Sequence, residues 1–306
     1  MKKKSTKKFD MYEEVTNRIV AELENGYIPW LKPWTGTNGA WSRATGKNYS
    51  LINQFLMPAG EYITYDELMR EGGEFIRDED GKVHDPQYVW SFWYKAVNVE
   101  VEDKETGETK EELFLIPKSK YHRVWNVETD TTLSVKYDKD EKREGVDPLK
   151  ELEAIKKDYV KRSGVRYSEC ISNKAYYAPI EDKVVVPCRK QYDKVAEFYS
   201  TVFHELGHST GAPSRLNRFK GLDAVAFGDT DYSREELVAE LTACSILANT
   251  GVETKTSFRN TTAYIQGWLR ALKDDPQAII RASAKAEQAY NLIMNITEDN
   301  EVEGAN

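Results

Sequence analysis

The 306-residue sequence predicts an α+β protein, with a small mixed α/β N-terminal part followed by a mainly helical part that contains a short β-hairpin. Strand-like stretches lie within residues 86–127, and apolar residues recur at helical spacing in the second half of the chain. Between them, a stretch dense in Asp, Lys and Glu is typical of a linker. We therefore expect a basic tail, an N-terminal domain, a charged linker and a C-terminal domain over residues 1–8, 9–130, 131–147 and 148–306.

The first helix is expected to begin after Asp10, which can cap it, because Glu13 follows at the capping-box spacing. It should end before Gly26. Residues 27–48 are rich in Gly, Pro, Trp, Thr and Asn and predict an irregular segment, and a short helix is expected around residues 49–58.

Within residues 86–127, the strand-like stretches QYVWSFWYKAV and LFLIPKSKYHRVWNV are separated by the charged turn EDKETGETKEE. Further on, Asp147 and Pro148 signal a helix that ends at Gly164. KAYYAP and KVVVPC then predict a hairpin. Four helical segments follow, at about 192–210, 233–249, 260–273 and 276–295.

Composition restricts the class of protein. The formal net charge of −8 argues against nucleic acid as a partner, but residues 1–60 carry nine Lys or Arg against five Asp or Glu. Only this segment could therefore present a basic surface. Three scattered cysteines without a Cys-x-x-Cys pair favour neither disulfides nor a cysteine zinc site. The absence of a long apolar run predicts no membrane span and no secretory signal, so we expect a cytoplasmic protein.

Residues 204–208 read His-Glu-Leu-Gly-His, and the apolar spacing before them places the motif on a buried helix. Residues four apart lie one turn above each other, so His204 and His208 can present imidazole nitrogens to one metal ion. The chain has four histidines, and two of them at this spacing around a glutamate favour a metal site. His84 and His122 are expected to be structural.

Glu205 can reach a water bound to that metal. Zn²⁺ lowers the pKa of such a water to about 7, so Glu205 can accept its proton as hydroxide attacks a carbonyl and pass the proton to a leaving amine. The motif therefore predicts a Zn²⁺-dependent hydrolase, with another divalent metal as the alternative. Candidates for stabilising the oxyanion are Tyr232, Arg234 and Tyr264.

A catalytic zinc needs a third protein ligand, but no histidine follows His208 and Ser214 stands where a three-histidine motif would place one. The third ligand must therefore be a carboxylate. We expect Glu236 to be the third ligand and Glu240, four residues on, to accept the other N–H of a ligand histidine. The reverse assignment stays open, and weaker candidates are Asp223, Asp229 and Asp231.

Six of the seven tryptophans lie within residues 30–125. In residues 30–49 aromatic side chains alternate with cations, a composition that suits single-stranded nucleic acid because bases stack on rings while cations follow phosphates. The alternative is a sheet core, which we expect for Trp90, Trp93 and Trp125. The candidate nucleic-acid-binding residues are Trp30, Lys32, Trp34, Arg43, Lys47 and Tyr49.

The stretches VTNRIVAELENGYIPWLKPW and ATGKNYSLIN resemble the N-terminal domain of the ArdC-type antirestriction proteins. FYSTVFHELGHSTGAPSRLNR, YSREELVAELTAC and YIQGWLRALKDDP are similar to the zincin-like metallopeptidase domain of the same family. The resemblance implies an N-terminal domain that binds single-stranded DNA without sequence preference. It also implies a mobile-element or phage protein that acts on DNA entering a bacterial cell.

The leading hypothesis is a single-stranded-DNA-binding antirestriction protein whose metallopeptidase domain hydrolyses an unidentified protein on or near incoming DNA. It would act in the cytoplasm of a bacterial host, without a membrane partner. One alternative is a protein that coats single-stranded DNA and has a structural or idle metal site. Another is a peptidase whose N-terminal domain recognises protein and has no affinity for DNA.

Overall fold

The computed structural model describes residues 10–31, 39–102, 109–137, 145–219, 230–252 and 262–297. It is an α+β structure, as predicted. The helices are α1 (Met11–Glu24), α2 (Leu51–Leu56), α3 (Tyr65–Arg70), α4 (Val127–Asp130), α5 (Pro148–Ser163), α6 (Val195–Ser209), α7 (Thr230–Asn249), α8 (Thr262–Asp274) and α9 (Ala278–Met294). The strands are β1 (Ala40–Ser42), β2 (Gly60–Ile63), β3 (Gln87–Glu102), β4 (Thr109–Asn126), β5 (Arg166–Cys170), β6 (Tyr176–Ala178) and β7 (Lys183–Pro187).

The predicted N-terminal ends of two helices are confirmed, including the residue that caps each one. The Asp10 carboxylate accepts hydrogen bonds from the backbone N–H groups of Tyr12 (2.8 Å) and Glu13 (3.4 Å) at the start of α1. Asp147 caps α5 in the same way, and that helix ends at Gly164 in the left-handed conformation (φ 72°). Both caps satisfy N–H groups that have no partner within a helix.

The larger sheet has the order β1-β2-β4-β3. β3 and β4 pair antiparallel from Gln87↔Val124 out to Glu102↔Thr109, whereas β2 joins β4 only at Tyr62↔Asn126 and Ile63↔Trp125. Most of the β3–β4 hairpin is therefore a two-stranded ribbon that extends beyond the sheet. The predicted strands within 86–127 are confirmed, while β1, β2 and α3 were not anticipated.

The smaller sheet has the order β5-β7-β6. β6 and β7 form the predicted antiparallel hairpin, and β5, which was not predicted, runs parallel to β7. Val184 and Val186 of β7 are buried together with Phe198, Val202 and Leu206 of α6. This sheet therefore supports the helix that carries the His-Glu-Leu-Gly-His motif.

The largest hydrophobic core joins the two halves of the chain. It combines apolar side chains of α1, α2 and β3 with others from α7, α8 and α9. Trp30 lies at its centre, 1% exposed, with its ring 5.2 Å from that of Trp268 in a T-shaped contact. The expected domains 9–130 and 148–306 thus share a core.

The first residues of the predicted linker pack against the N-terminal half. Thr131 is 3% exposed, and the backbone N–H groups of Lys136 and Tyr137 donate to the Glu61 carboxylate at 3.0 Å each. Residues 138–144 of the linker and the predicted tail 1–8 lie outside the described residues.

The core prediction for three tryptophans is only partly right. Trp90 is 2% exposed, and Trp125 is half-buried with its ring 4.9 Å from that of Phe75. For Trp93 the prediction is wrong, because this residue lies on the free part of the ribbon and is 45% exposed. Within the described ranges, none of the helices has the length and apolar character to cross a membrane.

Candidate metal centre

The His-Glu-Leu-Gly-His motif lies on α6, as its apolar spacing predicted. Val202, Phe203 and Leu206 are fully buried around it. The two histidines project from successive turns, and their Nε2 atoms lie 3.1 Å apart. His204 is 3% exposed, and His208 is only slightly more accessible. Helical geometry alone therefore brings the two imidazoles to one point.

α6 and α7 cross at very short range, and this crossing brings α7 next to the two histidines. A Cβ atom at Gly207 would lie 3.2 Å from the Cα of Ala239, so the two backbones approach as closely as they do because Gly207 has no side chain. Ala239 is fully buried at this crossing. The approach brings the first turns of α7 over the histidines.

Glu236 lies directly opposite both imidazoles. Its Oε2 is 3.4 Å from His204 Nε2, and its Oε1 is 3.3 Å from His208 Nε2. One ligand atom from each of the three residues falls within 4.8 Å of the others. Two imidazoles and one carboxylate form the protein donor set of many catalytic zinc sites, so the residues present fit a divalent metal.

Glu240 lies behind His204, on the side away from Glu236. Its Oε2 is 3.6 Å from His204 Nδ1, and the residue is 3% exposed. The Cys244 thiol donates to its Oε1 at 3.6 Å. The structure thus places Glu236 toward the Nε2 atoms of both histidines and Glu240 toward Nδ1 of His204.

Glu235 holds the equivalent position behind His208, and sequence reasoning gave it no role. Its Oε1 is 3.7 Å from His208 Nδ1. Arg218 donates to both oxygens of Glu235, from Nη2 at 2.5 Å and from Nε at 3.1 Å. The same guanidinium donates to the Gly207 carbonyl (2.9 Å) and the Thr210 hydroxyl (2.7 Å), so it ties Glu235 to the end of α6.

The carboxylates dominate the electrostatics of the site. Burial alone would lower the pKa of both histidines, but hydrogen bonds to the surrounding carboxylates outweigh it, so the pKa of His204 is raised and that of His208 rises to about 10. Burial would raise the pKa of Glu236, yet the two histidines hold it well below its usual value. Carboxylates that face both imidazoles in a buried site therefore favour a cation at this point, either the histidine protons or a metal ion.

Glu205 is buried beside these groups, with 3% of its surface exposed. It neighbours His204 in the chain and lies outside the three-residue ligand cluster of the described residues. A carboxylate next to a metal centre, yet not bound to the metal, is placed to exchange protons with a molecule at that centre.

Among the remaining site candidates, only Arg234 has a described side chain. Arg234 donates to Asp275 at 2.9 Å, at the junction with α9. His84 pairs with Asp130 at 2.8 Å, and His122 is exposed on β4. The backbones of Asp223 and Asp229 and the side chains of Asp231, Tyr232 and Tyr264 lie outside the described residues.

The predicted nucleic-acid residues are corrected at two positions. Trp30 is a core residue, and Arg43 is 8% exposed with its guanidinium 2.6 Å from Glu61 and 2.8 Å from Glu71. Neither can meet a base or a phosphate. Lys47 is exposed and Tyr49 is half-buried, while the remaining two candidates, Lys32 and Trp34, lie outside the described residues.

Both halves of the chain match known protein families. Residues 9–125 match the family described as the N-terminal domain of anti-restriction factor ArdC, and residues 154–285 match the family described as zincin-like metallopeptidase. The second range includes all the residues of the candidate metal centre.

Solved structures of the antirestriction protein ArdC from the R388 plasmid are similar over nearly the whole chain. The metal-free form is 30% identical with a TM-score of 0.64, covering 94% of this chain and 97% of that one. The Mn(II)-bound form is 28% identical with a TM-score of 0.68, covering 94% and 98%. The similarity to a metal-bound structure points to a divalent metal.

Curated relatives are similar over a comparable range. A DNA primase TraC of Escherichia coli is 29% identical over 302 residues, which are 92% of this chain but 27% of that protein. The uncharacterized protein y4eC of Sinorhizobium fredii (strain NBRC 101917 / NGR234) is 26% identical, covering 97% of this chain and 96% of that one. The chain thus spans about a quarter of the length of the primase.

Proposed function

The chain belongs to the ArdC family of antirestriction proteins, and from that membership we propose that it binds single-stranded DNA and carries a zinc-dependent peptidase. The peptidase would hydrolyse a protein met on or near DNA entering a bacterial cell. One observation carries the proposal: His204, His208 and Glu236 converge within 4.8 Å, with Glu205 buried beside them. The primase relatives support DNA as the partner.

The chain's own residues supply the remaining parts of a hydrolytic site. A zinc ion held by His204, His208 and Glu236 would provide Lewis-acid chemistry and make water a good nucleophile near neutral pH. Glu205 accepts the proton of the attacking water on its carboxylate and delivers it to the nitrogen of the leaving amine. Glu235 and Glu240 hold the imidazole rings in the orientation that directs Nε2 inward.

The test is substitution of Glu205 by Gln, which removes the proton acceptor while keeping size and polarity. We expect Glu205→Gln to retain bound zinc but to lose protection of incoming unmodified DNA in a restricting host. Glu197→Gln is the matched control, because Glu197 lies in the first turn of the same helix, away from the metal centre. Protection that survives Glu205→Gln at wild-type level would contradict hydrolysis.

A second candidate is a protein that coats single-stranded DNA and uses its metal only for stability. The packing of α7 favours it: Glu236 belongs to the helix whose Leu237, Val238 and Leu241 pack in the core shared with the N-terminal half. A metal that clasps α6 to α7 would therefore stabilise the whole molecule. This candidate predicts full protection by Glu205→Gln and loss of folded protein on metal removal.

DNA binding has its own test. We expect labelled single strands to be retarded by the wild-type protein, and the retardation to weaken steeply as salt rises. A chain that fails to retard single strands even at low salt would be a peptidase with a protein-recognising N-terminal half.

A further inference from the structure

The free part of the β3–β4 ribbon has two faces of different chemistry. Side chains alternate between faces along a strand, and directly paired residues share a face. The pairs Trp93↔Lys118 and Lys95↔Ile116 therefore lie on one side. We call this side the lysine face, and its eight positions are Ser91, Trp93, Lys95, Val97, Phe114, Ile116, Lys118 and Lys120.

The base of the ribbon is fixed by packing, which leaves the outer part of the lysine face open. On the opposite face the Phe92 ring packs against the Tyr12 ring of α1 in a tilted contact, with centroids 4.8 Å apart, and Trp90 is in the shared core. On the lysine side, Val89 and Val124 at the base are buried. Beyond this point Trp93 and Phe114 are each 45% exposed and Ile116 is 39% exposed.

The lysine face combines cations with an exposed indole, and none of its eight positions is acidic. The next pair outward on this side is Val99↔Glu112, so the first acidic position lies beyond Val97 and Phe114. Lys118 is directly opposite Trp93, Lys120 is diagonal to it, and Lys95 follows it on the same side of β3. Such neighbours lie about 5–8 Å apart. Within the described part of the chain, no carboxylate oxygen comes within 4.0 Å of the three ammonium groups.

The opposite face of the same ribbon lacks these cations. Its exposed apolar positions include Tyr94 (50% exposed), Leu113 (65%) and Leu115 (61%). Farther out, the same face carries Asn98, Glu100 and Glu111, and the Asn98 amide donates to the Glu111 carboxylate at 3.4 Å. Single-stranded nucleic acid binds through bases that stack on aromatic rings and phosphates that pair with cations. Of the two faces, only the lysine face offers both kinds of group.

We propose that the lysine face is the single-stranded-DNA-binding surface, with a base stacked on Trp93 and phosphates bound by Lys95, Lys118 and Lys120. This inference rests on the proposed DNA-binding function. It moves the contact from the segment around Trp30 and Arg43, where both side chains are buried, to a ribbon that projects from the sheet. The basic surface then lies outside residues 1–60, contrary to the expectation from the charge count, because the eight positions of the lysine face hold cations and no carboxylates.

The experiment measures binding of a fluorescein-labelled oligothymidylate of about 16 nucleotides to the full chain by fluorescence anisotropy. Trp93→Ala should weaken binding about 5- to 150-fold, the range found for removal of one stacking side chain. Trp93→Phe keeps an aromatic face and should retain most of the affinity. Tyr94→Ala is the matched control, because Tyr94 is adjacent and equally exposed but faces the other side, and it should bind like wild type.

The cations are tested by salt dependence. Replacing Lys95, Lys118 and Lys120 together by Gln should lower the slope of log affinity against log salt by about 2, since each contact with a single strand contributes about 0.7. A slope equal to that of wild type would overturn the assignment of the lysines.

The outcomes separate this inference from the proposed function. Wild-type binding with equal affinity for Trp93→Ala would overturn the lysine face and leave DNA binding intact. No binding by the wild-type protein would overturn the proposed function itself. If Trp93→Ala instead shifts the molecular mass from dimer to monomer without changing DNA affinity, a second copy of the chain covers this face and the inference is wrong.

Discussion

At the scale of single residues, Glu236 and Glu240 lie one turn apart on α7 yet face different nitrogens. Glu236 is within 3.4 Å of Nε2 of both histidines, whereas Glu240 is 3.6 Å from Nδ1 of His204. A ligand contributes directly to the free energy of metal binding. A group behind a ligand acts by fixing its tautomer and orientation.

We therefore predict that Glu240→Gln weakens zinc binding by about 10- to 100-fold, and that Glu236→Gln weakens it further. Competition with a chromophoric chelator measures both affinities, and circular dichroism checks that each variant is folded. A greater loss in Glu240→Gln than in Glu236→Gln would reverse the two roles.

The charge of Asp182 is expected to stabilise the folded protein. Arg215 donates to its Oδ2 at 3.0 Å and Tyr177 to its Oδ1 at 2.8 Å, and Arg215 also donates to the Ser209 carbonyl at the end of α6 at 2.7 Å. The pKa of Asp182 is lowered from its usual value, and the hydrogen bonds from Arg215 are the largest cause. Asp182 thus links the small sheet to α6, the helix that carries His204 and His208.

Because the folded state lowers this pKa, the stabilisation is present above the unfolded value of about 4 and is lost as pH falls through the lower folded value. The Asp182 side chain is 38% exposed, so solvent screens part of the interaction. Asp182→Asn should therefore reduce the free energy of unfolding by about 1–2 kcal/mol at pH 7, and the difference should shrink below pH 4. Asn also tolerates the left-handed backbone at this position (φ 45°).

Urea unfolding at several pH values measures this difference. Asp158→Asn is the control, since Asp158 pairs with Arg162 on the surface of α5 and is 51% exposed, so its loss should cost less than about 1 kcal/mol. A difference between wild type and Asp182→Asn that persists unchanged at pH 3 would contradict the ionic origin of the effect.

The clustering of His204 with His208 was predictable from the sequence because their spacing is local. His204, Glu205 and His208 lie within one helical turn, and Glu236 and Glu240 differ by another turn. Glu235 was missed because its role depends on Arg218, which lies 17 residues earlier in the chain and reaches it only in the folded state. No periodicity reports such a contact.

At the scale of elements, the crossing of α6 and α7 controls the geometry of the site. The distance between the two helices cannot accommodate a larger residue at 207 without a shift. A Cβ at Gly207 would lie 3.2 Å from the Cα of Ala239, and this backbone atom cannot rotate away. Gly207→Ala should therefore shift α7 by a few tenths of an ångström and separate Glu236 from the histidines. We therefore expect the geometry of the site to depend on the absence of a side chain at position 207.

We predict that Gly207→Ala lowers zinc affinity, although alanine is the better helix former by about 1 kcal/mol. Gly267→Ala is the matched control, because a Cβ at this helical position in α8 would meet nothing within 4 Å. That variant should gain stability and bind zinc like wild type. Equal zinc affinity in Gly207→Ala would show that the crossing tolerates expansion.

Helices that begin at a clear capping residue were predictable from the sequence, whereas short strands that depend on a pairing partner were not. α1 and α5 carry Asp caps, whereas β1 and β5 have three and five residues and owe their strand conformation to their parallel partners β2 and β7. α3 is different, because Thr64 and Glu67 form a capping box that was visible in the sequence and overlooked.

At the scale of the whole molecule, the shared core makes the two halves one structural unit. Thr16 in α1 donates its hydroxyl to the carbonyl of Pro276 at 2.5 Å, across 260 residues, and Lys273 pairs with Glu24 at 2.6 Å. The sequence suggested separate domains because a charged stretch divides them. Contacts between residues so distant leave no local pattern, so composition alone could not reveal the common core.

This organisation predicts that a change in the N-terminal half destabilises the metal centre. Trp30→Ala removes a buried indole that packs on Phe55 and Trp268, and should lower the free energy of unfolding by about 3–5 kcal/mol. Trp93→Ala, on the exposed ribbon, should change it by less than about 0.5 kcal/mol. Unfolding followed by circular dichroism and by zinc release should shift together in Trp30→Ala, because α7 contributes to both the core and the site. Two separate transitions, with zinc release unmoved, would instead mean that the C-terminal half retains its fold when the shared core is damaged.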